Sequence, residues 1–139
     1  MAKQVRQEIT EANLSNQERQ AAIPKIERRI ADLNSFDIES ISSRQDASIS
    51  ALEQKLDTLI VSIFGANTVE NRRYSGVSSL DTASYNMMYD TPIEEVKASL
   101  RKNVSSAIAT LEAIKEGFTE ELEGIRGSRA TPRNRTSCR

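Results

Sequence analysis

Apolar residues recur every three or four positions along most of the chain, a spacing that predicts three long amphipathic helical regions. The regions span about residues 3–34, 37–64 and 92–125. Each combines an apolar seam with a wide polar surface, which is typical of helices in bundles and coiled coils. The pattern therefore predicts an all-α fold for residues 1–125, as a long antiparallel helical hairpin or three-helix bundle with coiled-coil character.

Two features interrupt the first region. Ser15 and Glu18 have the spacing of a capping box, in which each side chain bonds to a free amide at a helix start, so a helix can begin there. Pro24 lies within the apolar series, where it removes an amide donor and its ring clashes with the carbonyl of Gln20. We therefore expect a kink or a break in the helix at Pro24.

The second region has the most regular seam. Ser35 or Asp37 can cap its start, and Gly65 suits the position just past its end, where a left-handed backbone costs glycine least. We expect this helix to pack antiparallel to the third, with the first region completing the bundle or reaching into a partner. The residues predicted to carry packing or oligomer contacts follow a 3-4-3-4 spacing: Ile49, Leu52, Leu56, Leu59 and Ile63.

The third region has the clearest start. Thr91 can act as the cap, and Pro92 takes the first helical position, where its missing amide costs little. The apolar series continues in steps of three or four residues to Ile125, and Gly124 predicts that the helix ends nearby. We interpret residues 126–139, which lack an apolar pattern, as a disordered basic tail.

The connection between the second and third regions, residues 66–90, is unusually long and holds all three tyrosines. We expect parts of it to fold back on the helices, with a short helical turn near residues 68–73. Arginine binds anionic groups and tyrosine offers a large ring with a polar tip, so this loop is the predicted partner-binding site. Its residues are Arg72, Arg73, Tyr74, Tyr85 and Tyr89. The alternative is structural: the arginines pair with helix carboxylates while Tyr74 covers the end of the bundle.

The net charge of −1 conceals an uneven distribution. Residues 126–139 carry five arginines and no acidic residue, which leaves 14 basic and 20 acidic residues in residues 1–125. The helical body therefore has a charge of −6 and the tail a charge of +5. An acidic body disfavours nucleic-acid binding, whereas the tail favours it.

The composition also favours self-association. The chain is only 37% apolar and 4% aromatic, and long thin helices bury little surface in a single chain, so we expect a homodimer or higher oligomer. A single cysteine, Cys138, cannot form an internal disulfide, and no apolar run approaches the roughly 18 residues that span a membrane. We therefore expect a cytoplasmic protein that does not insert into membranes.

The absence of histidine removes the commonest general base and the commonest transition-metal ligand. Four carboxylates share one face of the third region: Glu112, Glu116, Glu120 and Glu123. They are interpreted as a solvated acidic face rather than a cation site, since helical di-iron sites require Glu-x-x-His motifs. No glycine-rich phosphate loop is present. We expect no catalysis, metal site or cofactor, and a small enzyme that uses carboxylates alone is the remaining alternative.

Residues 50–123 have a recognisable order. An amphipathic helix ends in Ile-Phe-Gly, a basic-aromatic segment and a Ser/Thr-rich gap follow, and a long helix then ends in Glu-rich sequence. The residues that carry this order are Ile63, Phe64, Gly65, Asn67, Thr68, Tyr74, Ala107, Leu111, Ile114 and Leu122. The order resembles the small helical domain that precedes effector domains in bacterial defence-type proteins, such as the TIR-like predicted nucleotide-binding proteins. The resemblance implies the helical module alone, without the family's catalytic residues.

Together these patterns predict a non-enzymatic oligomerisation and interaction module that binds or regulates a protein partner, in a bacterial defence or stress system. The alternative is a nucleic-acid-binding accessory protein that uses the arginine-rich tail and the loop arginines. That alternative predicts binding that weakens steeply with salt.

Overall fold

The computed structural model describes residues 10–83 and 91–130 of the chain. These residues form four α-helices: α1, Asn16–Ser35; α2, Ala47–Phe64; α3, Val69–Tyr74; and α4, Ile93–Ala130. Two short 3-10 turns lie at Ile38–Ser40 and Ser75–Ser78. Strand-like pairing among the described residues is limited to one isolated bridge between Thr10 and Thr68. The predicted all-α fold is confirmed.

Helix α1 begins at the predicted capping box and runs through Pro24 without a break. The Ser15 hydroxyl accepts a hydrogen bond from the Glu18 amide at 3.0 Å, and the Glu18 carboxylate accepts one from the Ser15 amide at 2.8 Å. The expected break is absent because Pro24 and Gln20 are both exposed, so water can bond to the carbonyl that loses its donor. Residues 10–15, predicted as helix, are not helical, because Thr10 bonds to the segment after α2 instead.

Helix α2 begins at Ala47, about ten residues later than predicted. Asp46, rather than Ser35 or Asp37, is its cap, and its carboxylate accepts hydrogen bonds from the Ser48 amide at 2.9 Å and the Ser48 hydroxyl at 2.7 Å. The preceding polar stretch has no apolar residue to bury along a helix, and it forms a turn. The end of α2 is as predicted, since Gly65 has a φ of +88°, a value that favours glycine.

Helix α4 begins within one residue of the predicted start, and the Pro92 carbonyl accepts the Glu95 amide at 3.0 Å. The helix continues to Ala130, five residues beyond the predicted end at residue 125. Gly124 does not end it, because a glycine inside a helix costs only about 1 kcal/mol relative to alanine. The described residues therefore include the first five positions of the predicted tail, whereas residues 131–139 lie outside them.

Helix α1 lies antiparallel to α4, with which it makes its most extensive contact. An ion pair joins Lys115 to Glu27 at 3.5 Å, and towards the start of α4 Arg101 pairs with Glu39, just after α1, at 2.8 Å. Later residues of α1 and the first 3-10 turn therefore contact earlier residues of α4, as expected for antiparallel helices.

Helices α2 and α4 run parallel, so the predicted antiparallel pairing of the second and third regions is wrong. Glu53 in α2 and Asn103 in α4 both bond to the backbone of Leu80. Further along both helices, the rings of Phe64 and Phe118 lie 6.0 Å apart between centroids. The long connection between the helices permits this direction, because part of it runs back along α2 before α4 begins.

The core lies between α1, α2, α4 and the returning connection, and its buried side chains come from all of these elements. All five residues predicted to carry packing or oligomer contacts are inside it, with exposures of 8% or less: Ile49, Leu52, Leu56, Leu59 and Ile63. These residues pack within one chain, so their surface is already covered before any second copy binds.

A short non-helical stretch, residues 79–83, crosses between α2 and α4; we call it the crossing segment. Its Leu80 side chain is fully buried. The Glu53 carboxylate accepts the amides of Leu80 at 3.0 Å and Asp81 at 3.2 Å, while the Asn103 side chain donates to the Leu80 carbonyl at 2.9 Å. The side chains of Glu53 and Asn103 thus provide hydrogen-bond partners for the buried backbone amide and carbonyl of Leu80.

An ion pair holds the far end of the crossing segment. Arg44 Nε and Nη2 each donate to Asp81 carboxylate oxygens at 2.9 Å, and Nη2 also donates to the Ala83 carbonyl at 2.9 Å. Both side chains are mostly buried, with 20% and 13% of their surface exposed. This two-point contact fixes the backbone of the crossing segment at Asp81 and Ala83.

Replacing Glu53 with alanine tests the role of the crossing segment. The substitution leaves two part-buried amides without an acceptor, so we expect a loss of about 1–3 kcal/mol in the free energy of unfolding, measured by urea denaturation. Glu53→Gln keeps a carbonyl acceptor and should lose less. Gln54→Ala, at the neighbouring exposed position, is the control. A Glu53→Ala variant as stable as the control would contradict this assignment.

The cap of α2 predicts a dependence on pH. Hydrogen bonds from the Ser48 side chain and backbone lower the pKa of Asp46 below its ordinary value of 3.8. Because the folded-state pKa is the lower one, ionised Asp46 stabilises the fold above pH 3.8, and this contribution disappears as the pH falls through the folded-state pKa. Asp46→Asn still caps the helix but cannot ionise.

We therefore expect the urea midpoint of the wild type to fall more between about pH 4 and pH 2 than that of Asp46→Asn. Asp57→Asn removes an exposed carboxylate of the same helix that makes no hydrogen bond among the described residues, and it controls for the loss of one charge. Equal pH dependence in the wild type and Asp46→Asn would show that the cap charge does not contribute.

Candidate functional site

Three aromatic rings converge at the end of the bundle where α2 stops. Phe64, the last residue of α2, lies 5.4 Å from Tyr74 and 6.0 Å from Phe118, measured between ring centroids. Phe64 is buried, whereas Tyr74 and Phe118 are only partly buried. Tilted pairs at these distances are favourable for aromatic rings. The cluster therefore has a buried base and two rings that remain accessible.

Local backbone structure places Tyr74 against Phe64. Gly65 ends α2, and Thr68 caps α3 by accepting the Asn71 amide at 3.0 Å with its hydroxyl. The six residues of α3 then carry the chain to Tyr74 at its last position. The predicted helical turn near residues 68–73 is confirmed.

Residues 10–15, which precede α1, form an arm that is hydrogen-bonded to the start of α3. The Thr10 amide donates to the Asn67 carbonyl at 3.3 Å, and the Val69 amide donates to the Thr10 carbonyl at 2.9 Å. The Glu70 carboxylate accepts the Ala12 amide at 3.0 Å. The start of α3 is therefore held from two sides, by the arm and by the end of α2.

An open cleft of about 430 Å³ lies between this arm, α3 and α4; we call it the end cleft. All three rings of the aromatic cluster line it. On the side of the cleft formed by α4, Ala113 and Gly117 leave space because they carry little or no side chain. A Cβ atom placed on Gly117 would have no heavy atom within 4 Å. The cleft can thus accept an apolar side chain from outside against an aromatic base.

The rim of the end cleft carries charges of both signs, from Arg19, Arg73, Glu11, Glu70 and Glu121. Arg73 is exposed, and its guanidinium carbon lies 5.9 Å from the centroid of the Tyr74 ring. Neither Arg72 nor Arg73 forms an ion pair with any residue in the described part of the chain. Arg73 is consequently available for a carboxylate that enters with an apolar group.

The predicted partner-binding residues divide into two groups. Arg72, Arg73 and Tyr74 lie together on α3 at the end of the bundle, whereas Tyr85 and Tyr89 lie outside the described residues. In the structural alternative, Tyr74 covers the end of the bundle, and its ring contact with Phe64 agrees with that role. The pairing of the arginines with helix carboxylates is not found within the described residues.

Sequence reasoning missed Phe118 and Gly117 as parts of this site. Phe118 follows the regular apolar series of α4 and has the pattern of a core residue. Only the parallel direction of α2 and α4 brings it beside Phe64. A weak signal was present in Phe64, which widens the apolar stripe at the end of α2 and indicates more than one neighbour.

The acidic face of α4 has the exposed position expected for it. Glu112, Glu116, Glu120 and Glu123 are all exposed. Within residues 10–83 and 91–130, no three acidic or cysteine side chains are grouped so that they could hold a metal ion. In the same residues, no helix combines the length and apolar character needed to cross a membrane.

Comparisons of the chain with protein-family models, curated proteins and solved structures find no match.

Substitution of Gly117 tests whether the end cleft has free space next to α4. Gly117→Ala should raise the free energy of unfolding by about 0.5–1 kcal/mol, because alanine is the better helix former and its methyl group meets no neighbour. Gly124→Ala, also open and on the same helix, should change stability in the same direction. Destabilisation by Gly117→Ala alone would show that the cleft is closed at this point; urea denaturation provides the measurement.

Proposed function

We propose that the chain is a non-catalytic helical interaction module that binds a short segment of a partner protein in the end cleft. The observation that carries this proposal is the convergence of three of the chain's six aromatic rings around one open cleft. Aromatic residues dominate the energetics of protein interfaces, where they act as anchors or line the pockets that accept them. A chain with 4% aromatic residues has concentrated half of them at one surface.

The chemistry of the cleft defines the segment that it fits. The base formed by Phe64 and the partly buried rings of Tyr74 and Phe118 favour an apolar or aromatic side chain. Arg73 favours a carboxylate directly beside it, whereas Glu11 and Glu121 disfavour one elsewhere in the cleft. The proposed ligand is therefore a peptide with an apolar anchor and an adjacent acidic residue.

The biological setting of the proposal comes from the sequence. The resemblance to helical domains of bacterial defence-type proteins favours a defence or stress system for a module that binds or regulates a partner. The single cysteine and the lack of a long apolar run in the sequence favour a cytoplasmic location. Self-association and coiled-coil character are favoured by the low apolar content and the narrow seams. Each of these remains a prediction.

A second candidate function, nucleic-acid binding, is favoured by the five arginines in residues 126–139. Phosphate contacts by arginine give affinities that fall steeply with salt. This candidate uses the tail, so deletion of residues 131–139 should weaken nucleic-acid binding without changing the end cleft.

Peptide selection tests the main proposal without knowledge of the partner. A displayed library of random peptides is selected against the full chain, and binding of the enriched peptides is measured by fluorescence polarisation. We expect enriched sequences with one apolar anchor and a neighbouring acid. Gly117→Leu places a side chain in the cleft and should weaken their binding at least about tenfold.

Two variants make this experiment specific. Gly124→Leu adds the same side chain to α4 outside the end cleft and should bind the peptides as the wild type does. Arg73→Ala should weaken binding by a smaller factor, about two- to fivefold, and reduce its dependence on salt. Enriched peptides that bind Gly117→Leu as tightly as wild type would show that the end cleft is not the binding site.

A further inference from the structure

A second groove, on the opposite side of α1 from α4, has an unusual concentration of positive charge. It lies between α1 and α2, has a volume of about 560 Å³, and is lined by Lys25, Arg28, Arg29 and Lys55 but by no carboxylate. We call it the basic groove. Arg29 pairs with Asp32 at 2.6 Å. The other three cations have no ion-pair partner among the described residues.

The outer face of α4 has the complementary charge. Glu112, Glu116, Glu120 and Glu123 form one row at spacings of four, four and three residues, and all are exposed. None of them forms a hydrogen bond or ion pair with a residue in the described part of the chain. Like charges at these spacings repel one another and destabilise the helix slightly. A cationic surface that binds this face would reduce the repulsion.

We infer that the basic groove receives the acidic face of α4 from a second copy of this chain. A groove between two helices has the shape that accepts the ridge of a third helix, and the row of carboxylates is such a ridge. Every copy carries both surfaces, on opposite sides of the bundle, so the contact is head-to-tail and can repeat from one copy to the next. This inference does not rest on the proposed function, because neither surface belongs to the end cleft.

The charge of the whole body favours a protein ligand over a nucleic acid at this groove. Residues 1–125 have a net charge of −6, which repels a polyanion at long range. A second copy has the same net charge, but its carboxylates are arranged on one helix face and its outer surface also carries cations. Exposed ion pairs are individually weak, so we expect association that is reversible and sensitive to salt.

Sedimentation velocity on the full chain measures this association. At about 0.02 M salt we expect assemblies of twice the chain mass of 15.5 kDa and larger, and at about 0.5 M salt a monomer. Lys25→Glu/Arg28→Glu should raise the dissociation constant of this contact at least about tenfold at low salt. Glu112→Lys/Glu116→Lys should do the same. All four positions are exposed, and circular dichroism checks that the helices remain formed.

Mixing the two double variants provides the decisive result. Each alone presents like charges on both surfaces, whereas the mixture restores opposite charges at each contact between unlike variants, so mixed assemblies should form. Lys102→Glu makes the same single charge reversal as Arg28→Glu at an exposed position outside the groove, and it should associate as wild type. No recovery in the mixture would overturn the inference. Association unaffected by Lys25→Glu/Arg28→Glu, or a groove that binds only added DNA, would also overturn it.

Discussion

The carboxylate of Glu53 and the amide of Asn103 hold the backbone of Leu80 between α2 and α4. Leu80 is fully buried, and a buried backbone needs partners for its amide and carbonyl groups. These two side chains provide them from α2 and α4, one on each side. The crossing segment therefore bridges α2 and α4 at this level, and its contacts fit two helices that run in the same direction.

The parallel direction has a functional consequence at the opposite end of α2. Phe64 ends α2 and Phe118 lies far along α4, so the two rings meet only if both helices point towards the same end of the molecule. An antiparallel pair would place them at opposite ends, and the end cleft would not exist. The polar contacts around Leu80 thus support the same helix direction that brings the aromatic rings together, although they lie about three helical turns away along α2.

Most helix ends were predictable from the sequence, whereas the relative direction of α2 and α4 was not. The starts of α1 and α4 and the end of α2 depend on neighbouring residues, namely the Ser15 capping box, Pro92 and Gly65. The late start of α2 depends on Asp46, one of several polar residues in a stretch where each can serve as a cap. Glu53 and Asn103 have no distinctive sequence pattern, because their partner is the backbone of a distant segment. Arg72, Arg73 and Tyr74 were recognisable as a group, whereas Phe118 joins them only through the tertiary arrangement.

The convergence of Phe64, Tyr74 and Phe118 is the central claim, and nuclear Overhauser contacts between their ring protons test it most directly. The chain has only three phenylalanines and three tyrosines and no tryptophan, so selective labelling gives a spectrum that can be assigned. Centroid separations of 5.4 and 6.0 Å predict contacts from Phe64 to Tyr74 and from Phe64 to Phe118. A Phe118 ring without contact to Phe64 in the folded protein would contradict the parallel arrangement and the end cleft that depends on it.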